Sequence, residues 1–275
     1  MNYQIINKSI VKKLRLPKSR SHKRDNGRLL VIAGSKKYFG AMVYAVKTAS
    51  RLVDLVYLLT TAENYKLVEK LKIQSAEFMP VTPPLNIRGG RGVISDVDAI
   101  LIGPGMGISV TTKRLTSQVL KSGKKAVLDA DALNVLDNNL KKLLSPQHIL
   151  TPHHKEFYRL FKIQATAQNA SKMAKKYHCH IVLKGPVDII AQPNGKIALN
   201  KTGNAGMTKG GTGDVLAGLI AGLYCTNDAF TSAAAGVFIN GLAGDELYKN
   251  VGTFYNAEDL SEQIPLTLHY LTKNI

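Results

Sequence analysis

Six short runs of valine, isoleucine and leucine recur through the first 185 residues: "LLVIAG" at 29–34, "LVYLLT" at 55–60, "AILIG" at 99–103, "AVLDA" at 126–130, "HILT" at 148–151 and "HIVLKG" at 180–185. They are near-continuous rather than alternating, which is the pattern of strands covered on both faces. The segments between them, 40–53, 63–72, 109–121, 154–161 and 165–177, carry helical spacing. Such β-α alternation predicts an α/β fold of three layers, α/β/α, around a mostly parallel central sheet. After residue 185 the pattern changes. "VDIIAQPNGKIALN" reads as a hairpin turning at "PNG", and helices are expected over 213–224 and 228–249. No repeat or low-complexity linker interrupts the 275 residues, so one domain over 1–275 is expected, with 1–24 as a basic N-terminal arm.

Composition narrows the function classes. At 45% hydrophobic and 20% charged residues the chain can bury a sizeable core. No run reaches the ~18 uninterrupted apolar residues of a membrane span, and the N-terminus lacks the apolar stretch of a signal peptide. Cys179 and Cys225 have no metal-ligand spacing, so a cytoplasmic protein with reduced thiols is expected. His178 and His180, which flank Cys179, have no matching partners and are set aside as metal ligands. The net charge is +18, and eight of the basic residues precede residue 25. Lysine dominates without the interleaved aromatics that would stack on bases. The charge therefore reads as a solvated surface that also suits anionic small molecules, and no nucleic-acid or membrane partner is expected.

The unusual residues fall just after the apolar runs. "GSKKYFGA" follows the first, "GPGMG" the third, "DADALN" the fourth, "TPHH" the fifth and "KGP" the sixth. In an open parallel sheet the carboxyl ends of the strands line the ligand crevice, so these loops are expected to meet in one cleft. A sixth feature, "GNAGMTKGGTGD" at 203–214, runs directly into a helix. Glycine lets backbone amides approach an anion closely, and a helix N-terminus adds unpaired N–H donors and partial positive charge. Gly210, Gly211, Thr212 and Gly213 thus form a candidate anion hole for a phosphoryl group. Asp214 inside it is the candidate catalytic base, taking a proton from a hydroxyl as that oxygen attacks phosphorus. The loop lacks the Walker A pattern.

"GNAGMTKGGTGDVLAGLIAGL", with "HKRDNGRLLVIAGSKKYFGA", "AILIGPGMG", "VLDADALNVL", "ILTPHHKEFYRL", "IVLKG", "AAAGVFINGLAGDEL" and "NAEDLSEQIP", resembles the ribokinase-like NAD(P)H-hydrate dehydratases. The resemblance runs from about residue 22 to 266. It implies a ribokinase-like fold and a nicotinamide-nucleotide repair enzyme, a hydro-lyase. The reaction would use ADP or ATP as phosphoryl donor, with Mg²⁺, to dehydrate (S)-NADHX or NADPHX to NADH or NADPH by phosphorylating the hydroxyl and losing phosphate. By the same resemblance Ala41, Gly105, His153 and Asp214 bind the hydrated cofactor. Lys184, Gly185, Pro186, Val187, Asp188 and Gly213 bind the nucleotide. Asp129, Asp131 and Glu156, with Asn134, orient Mg²⁺ or its waters. A homo-oligomer, specifically a tetramer, and a separately encoded epimerase partner are further implications.

The chain departs from the family pattern at Lys155, Lys209, Asp188 and "LVD" at 52–54. Lys209 is expected to add a phosphate contact, and Asp188 to repel a phosphate. Three other readings stand beside the dehydratase: a small-molecule kinase of the hydroxyethylthiazole or hydroxymethylpyrimidine type, a basic nucleic-acid binder, and a catalytically inactive regulator.

Overall fold

Leu29 and Val31 of one strand enter one hydrophobic core, while Leu30 and Ile32 between them enter another. All four are essentially inaccessible to solvent. This is why the apolar runs do not alternate: both faces of the sheet are covered. The computed structural model describes residues 3–61, 64–74, 77–81 and 93–273.

The strands are β1 (Gln4–Ile5), β2 (Arg28–Ile32), β3 (Leu55–Leu59), β4 (Met79–Val81), β5 (Ala99–Ile102), β6 (Lys125–Leu128), β7 (His148–Leu150), β8 (His180–Leu183), β9 (Asp188–Ala191) and β10 (Ile197–Asn200). They form one sheet in the order β1-β10-β9-β8-β7-β6-β5-β2-β3-β4. Strands β2 to β8 are parallel to their neighbours, β9 runs antiparallel to both β8 and β10, and β1 adds to β10 in parallel. The helices are α1 (Phe39–Ala49), α2 (Tyr65–Gln74), α3 (Val93–Asp96), α4 (Val110–Lys121), α5 (Ala130–Asn134), α6 (Asn138–Lys141), α7 (His154–Phe161), α8 (Ala167–Tyr177), α9 (Thr212–Tyr224), α10 (Ala229–Val251) and α11 (Ala257–Thr272). Helices α1, α9, α10 and α11 cover one face of the sheet, and α4, α5, α7 and α8 cover the other. The three-layer α/β architecture expected from the sequence is the one observed.

The chain order explains where a ligand can enter. From β2 the chain moves outward through β3 and β4, then returns to β5 on the other side of β2 and continues outward through β6, β7 and β8. The carboxyl ends of β2 and β5 are therefore a topological switch point, where the following loops diverge and leave a crevice. Adjacent strands β2, β5, β6, β7 and β8 bring the five unusual loops to one edge, as the sequence pattern anticipates.

Several elements differ from expectation. The N-terminal segment is not a free arm, because Ile6, Ile10, Val11 and Leu14 are buried in the α9–α11 core while Lys8, Lys12 and Lys13 stay in solvent. A 3₁₀ turn over Lys8–Lys13, capped by Asn7, produces that split. Helix α11 follows the two expected helices, and its start falls at "NAEDLSEQIP", where Asn256 and Asp259 form a reciprocal capping box. Residue 63 of the helix expected over 63–72 lies outside the described residues. Among the described residues no helix is long and apolar enough to cross a membrane.

Candidate active site

Gly211 has φ +97°, and a Cβ there would lie 2.7 Å from both Ala257 Cβ and the ring of Tyr44. Only glycine can make this left-handed turn so close to α1 and α11. The turn stops the chain one residue before α9, so the helix presents its first amides outward. Thr212 secures the corner, its hydroxyl lying 2.7 Å from the Met207 carbonyl and 2.8 Å from that of Lys209. The amides of Gly210, Gly211, Gly213 and Asp214 meet no acceptor among the described residues. Four free N–H groups at the positive end of a helix form an anion-binding cradle.

Asp214 stands in the first turn of α9. Its carboxylate accepts no hydrogen bond from any described residue. Burial, then the negative charges of Asp129, Asp131 and Glu156, push it up to about 7, with Lys184 opposing. A carboxyl group in that range is matched to accept a proton near neutral pH.

Lys184 follows β8 directly, and its amide donates to Pro152 O (2.9 Å), extending the ladder so that it bridges His153. The ammonium lies 2.8 Å from Asp129 Oδ1, which also receives the Thr151 hydroxyl at 2.7 Å. Burial works to lower the lysine's proton affinity, but Asp129 and Glu156 outweigh it and hold the group charged. A Cβ at Gly213 would lie 3.6 Å from this ammonium. The glycine loop thus touches Tyr44 of α1 on one side and Lys184 on the other.

The His153 side chain caps α7: Nδ1 accepts from Lys155 N (3.1 Å) and Glu156 N (3.3 Å), and Glu156 Oε2 accepts from His153 N (2.9 Å). Those bonds assign the neutral tautomer with its proton on Nε2, and burial holds the ring's pKa below its ordinary value. The capping bonds leave His153 on the wall of the cavity described next. Lys155 is exposed.

A cavity of about 570 Å³ opens beside these groups. Its wall includes His153, Lys184, Gly185, Pro186, Asp188, Thr212 and Gly213 among the residues expected from sequence. Val187 is turned to solvent and is not part of the wall. Ala41 and Gly105 lie at the switch point instead: a Cβ at Gly105 would meet Ala41 Cβ at 2.9 Å and Tyr38 O at 2.4 Å. The wall also takes in Thr202, Asn204, Met207, Asn240 and Gly241, to which the sequence assigned no role. "GNAGM" at 203–207 flags Asn204 and Met207 as part of a segment, and Asn240 lies within "AAAGVFINGLAGDEL", but nothing in the sequence singles out Thr202, Asn240 or Gly241.

Two expectations fail. Lys209 does not face the cradle. Its ammonium donates to the carbonyls of Thr253 and Tyr255 and sits 5.7 Å from the centroid of the Tyr255 ring. Asp188 does not confront a phosphate as a free charge. Its carboxylate accepts from Gly185 N (3.1 Å) and Asn200 Nδ2 (3.1 Å), tying the 185–188 loop to the hairpin, and burial raises its proton affinity.

The acidic side chains proposed for Mg²⁺ are each engaged. Asp131 accepts from Gly107 N (2.7 Å) and Asn134 Nδ2 (3.2 Å), Asp129 from Lys184 and Thr151, and Glu156 from His153 N. Among the described residues no three His, Cys, Asp or Glu side chains form a ligand cage. Asp129 Oδ2 and Glu156 Oε1 accept no hydrogen bond from described residues. That donor set fits a hydrated Mg²⁺, which keeps most of its waters and leans on phosphate oxygens.

A parallel-sheet crevice, a cradle of free amides and an unpaired carboxylate define a class: α/β proteins with an anion-binding helix N-terminus beside a free acid. The chain belongs to the NAD(P)H-hydrate dehydratase family, whose model matches residues 29–266. It is 40% identical over 266 residues to the bifunctional NAD(P)H-hydrate repair enzyme Nnr of Methanocaldococcus jannaschii, covering 94% of this chain and 51% of that protein. It is 33% identical to the ADP-dependent (S)-NAD(P)H-hydrate dehydratase of Cenarchaeum symbiosum, covering 89% of each. The crystal structure of the ADP/ATP-dependent NAD(P)H-hydrate dehydratase of Bacillus subtilis, grown with ATP and Mg²⁺, superposes with a TM-score of 0.82 at 28% identity, covering 98% of this chain and 99% of that one. The chain spans about half the length of most of the curated relatives it matches.

Proposed function

We propose that the protein is an ADP- or ATP-dependent dehydratase that restores NADH and NADPH from (S)-NADHX and (S)-NADPHX. The observation that carries this is Asp214: an unpaired carboxylate, poised near neutrality, beside four free amides and Lys184. The hydroxyl of the hydrated ring attacks the terminal phosphorus of the nucleotide as Asp214 takes its proton. The bond from that phosphorus to its bridging oxygen breaks, and AMP or ADP departs. The amides of Gly210, Gly211 and Gly213 stabilise the charge on the phosphoryl oxygens, with Lys184 beside them. Hydroxide is a poor leaving group and phosphate a good one. Its departure, with loss of a proton from the neighbouring ring carbon, restores the double bond. Asp129 and Glu156 would hold Mg²⁺ through its waters, and the ion would supply charge neutralisation on the phosphates.

Ala41, Gly105 and His153 contact the hydrated cofactor in this reading, and the 184–188 loop with Gly213 contacts the nucleotide. A tetrameric assembly, an epimerase activity in the same pathway and a cytoplasmic location complete the proposal. The test is to incubate the protein with NADHX, Mg²⁺ and either nucleotide and follow NADH absorbance. Recovery of absorbance with release of phosphate supports the dehydratase. Accumulation of a stable phosphorylated alcohol identifies a kinase instead, and no reaction with either nucleotide rejects the proposal.

A further inference from the structure

Asn240 sits on α10 in the wall of the 570 Å³ cavity and is 4% exposed. Its Oδ1 is occluded and has no hydrogen-bond partner, and its Nδ2 donates to no described residue. A buried carboxamide with neither partner satisfied carries a desolvation cost that a native fold rarely retains without use. Its neighbours on the wall offer no relief. Val237 and Leu216 are apolar, and the carbonyls of Val237 and Phe238 are already bonded by Asn200 and Thr202. Oδ1 is shut off from the cavity as well, so Nδ2 is the atom of this carboxamide that can find a partner there. Because a buried orphan donor is rarer than an under-satisfied acceptor, the amide is best oriented with Nδ2 toward the opening.

The position of the group limits what that partner is. Charged oxygens are drawn to the cradle at 210–214 and to Lys184. The α10 wall carries no charge: it offers Val237, Gly241 and this one N–H donor, with Leu216 of α9 alongside. Apolar surface around a single donor matches a flat heteroaromatic ring with an acceptor nitrogen on its edge. Asn200 fastens this wall to the 185–188 loop, since its Nδ2 reaches both Asp188 Oδ2 (3.1 Å) and Val237 O (3.2 Å). A nucleotide gripped by that loop therefore meets α10 directly.

We propose that Asn240 anchors the purine base of the phosphoryl donor by donating to a ring nitrogen. The inference rests on the nucleotide-dependent reading above and adds the residue that sets affinity for the base. Calorimetry with ADP and with inorganic pyrophosphate, on the parent protein and on Asn240→Leu, separates the base from the phosphate end. The variant should bind ADP about fivefold to tenfold more weakly, with pyrophosphate unchanged. Its melting temperature should equal or exceed the parent's, because an unsatisfied polar group has been replaced by an apolar one. A second measurement needs no variant. Among ADP analogues in which N1, N3 or N7 is replaced by carbon, one should bind the parent as weakly as ADP binds Asn240→Leu. Unchanged ADP affinity in the variant, equal loss of ADP and pyrophosphate, or a deaza series as tight as ADP overturns the inference. Loss confined to deoxyribose analogues overturns it too, because the partner is then a sugar hydroxyl. A parent protein that binds neither ADP nor ATP would instead refute the underlying functional reading.

Discussion

Lys184 Nζ lies 2.8 Å from Asp129 Oδ1, while Asp214, whose carboxyl both residues influence, accepts no hydrogen bond from the described residues. The site spends its one buried cation on the carboxylate beneath, and the carboxylate in the helix turn stays free to exchange a proton. Activity should therefore rise with pH through about 7, as Asp214 deprotonates. The acidic limb of the kcat/KM profile checks this. A limb near the ordinary aspartate value would show that Asp214 is not the base.

The same shift sets a stability signature. A carboxyl raised from 3.8 to about 7 on folding adds stability below pH 4 and loses it progressively as pH climbs through 7. Asp214→Asn cannot titrate in that window. At pH 8 the variant should be inactive yet melt above the parent, and the two melting curves should converge toward pH 4. Parallel curves at every pH would refute the assigned environment.

Variants of the buried pair should move the acidic limb in opposite directions. Asp129→Asn removes a negative neighbour and releases Lys184 toward Asp214, so the limb shifts to lower pH. Lys184→Met removes the opposing positive charge, so the limb shifts to higher pH. Lys184→Met also strands a carboxylate whose side chain is 3% exposed, and losing one partner of a buried pair costs about 3–5 kcal/mol of stability. Shifts of the same sign in both variants would contradict the pairing.

Much of this arrangement is legible in the chain, for identifiable reasons. Burial on both faces gives continuous apolar runs, so β2, β3 and β5 to β8 stand out, whereas β1 is two residues and β4 reads "MPV". Asp214 and the glycines are visible because cradling a phosphate needs backbone without side chains. Ala130, at φ +45°, makes the corner between Asp129 and α5 without a glycine to announce it. Lys209 is misleading because its partners are backbone carbonyls at 253 and 255, and a carbonyl has no sequence signature. Asp188 resembles a free charge until the hairpin brings Asn200 across to it. Asn240 is hidden because its meaning lies in a missing hydrogen bond.

Two adjacent glycines should behave differently. A Cβ at Gly210 meets nothing within 4 Å, whereas one at Gly211 collides with Tyr44 and Ala257 at positive φ. Gly211→Ala should cost about 2–4 kcal/mol from left-handed strain and overpacking together. Gly210→Ala should leave the melting temperature unchanged. If thermal denaturation finds equal losses, the turn is not built as described.

Lys209 supplies the final prediction. Besides the Tyr255 hydroxyl, which donates to Asn204 Oδ1 at 2.8 Å, two fastenings hold the glycine loop from outside. One joins Asp245 to Gly203 N and Asn204 Nδ2 at 3.0 Å each, and the other is the Lys209 ammonium on the Thr253 and Tyr255 carbonyls. Removing the second, in Lys209→Met, leaves the cradle amides and Asp214 chemically intact but loosens the loop that aims them. Hydrogen exchange over 203–211 should accelerate, and kcat should fall about tenfold or more, since small misplacements of catalytic groups are costly. The acidic limb should stay in place, because burial, Asp129, Lys184, Asp131 and Glu156 are the leading influences on Asp214. A variant that binds phosphate groups more weakly while exchange stays slow would restore Lys209 to the role of a direct phosphate ligand.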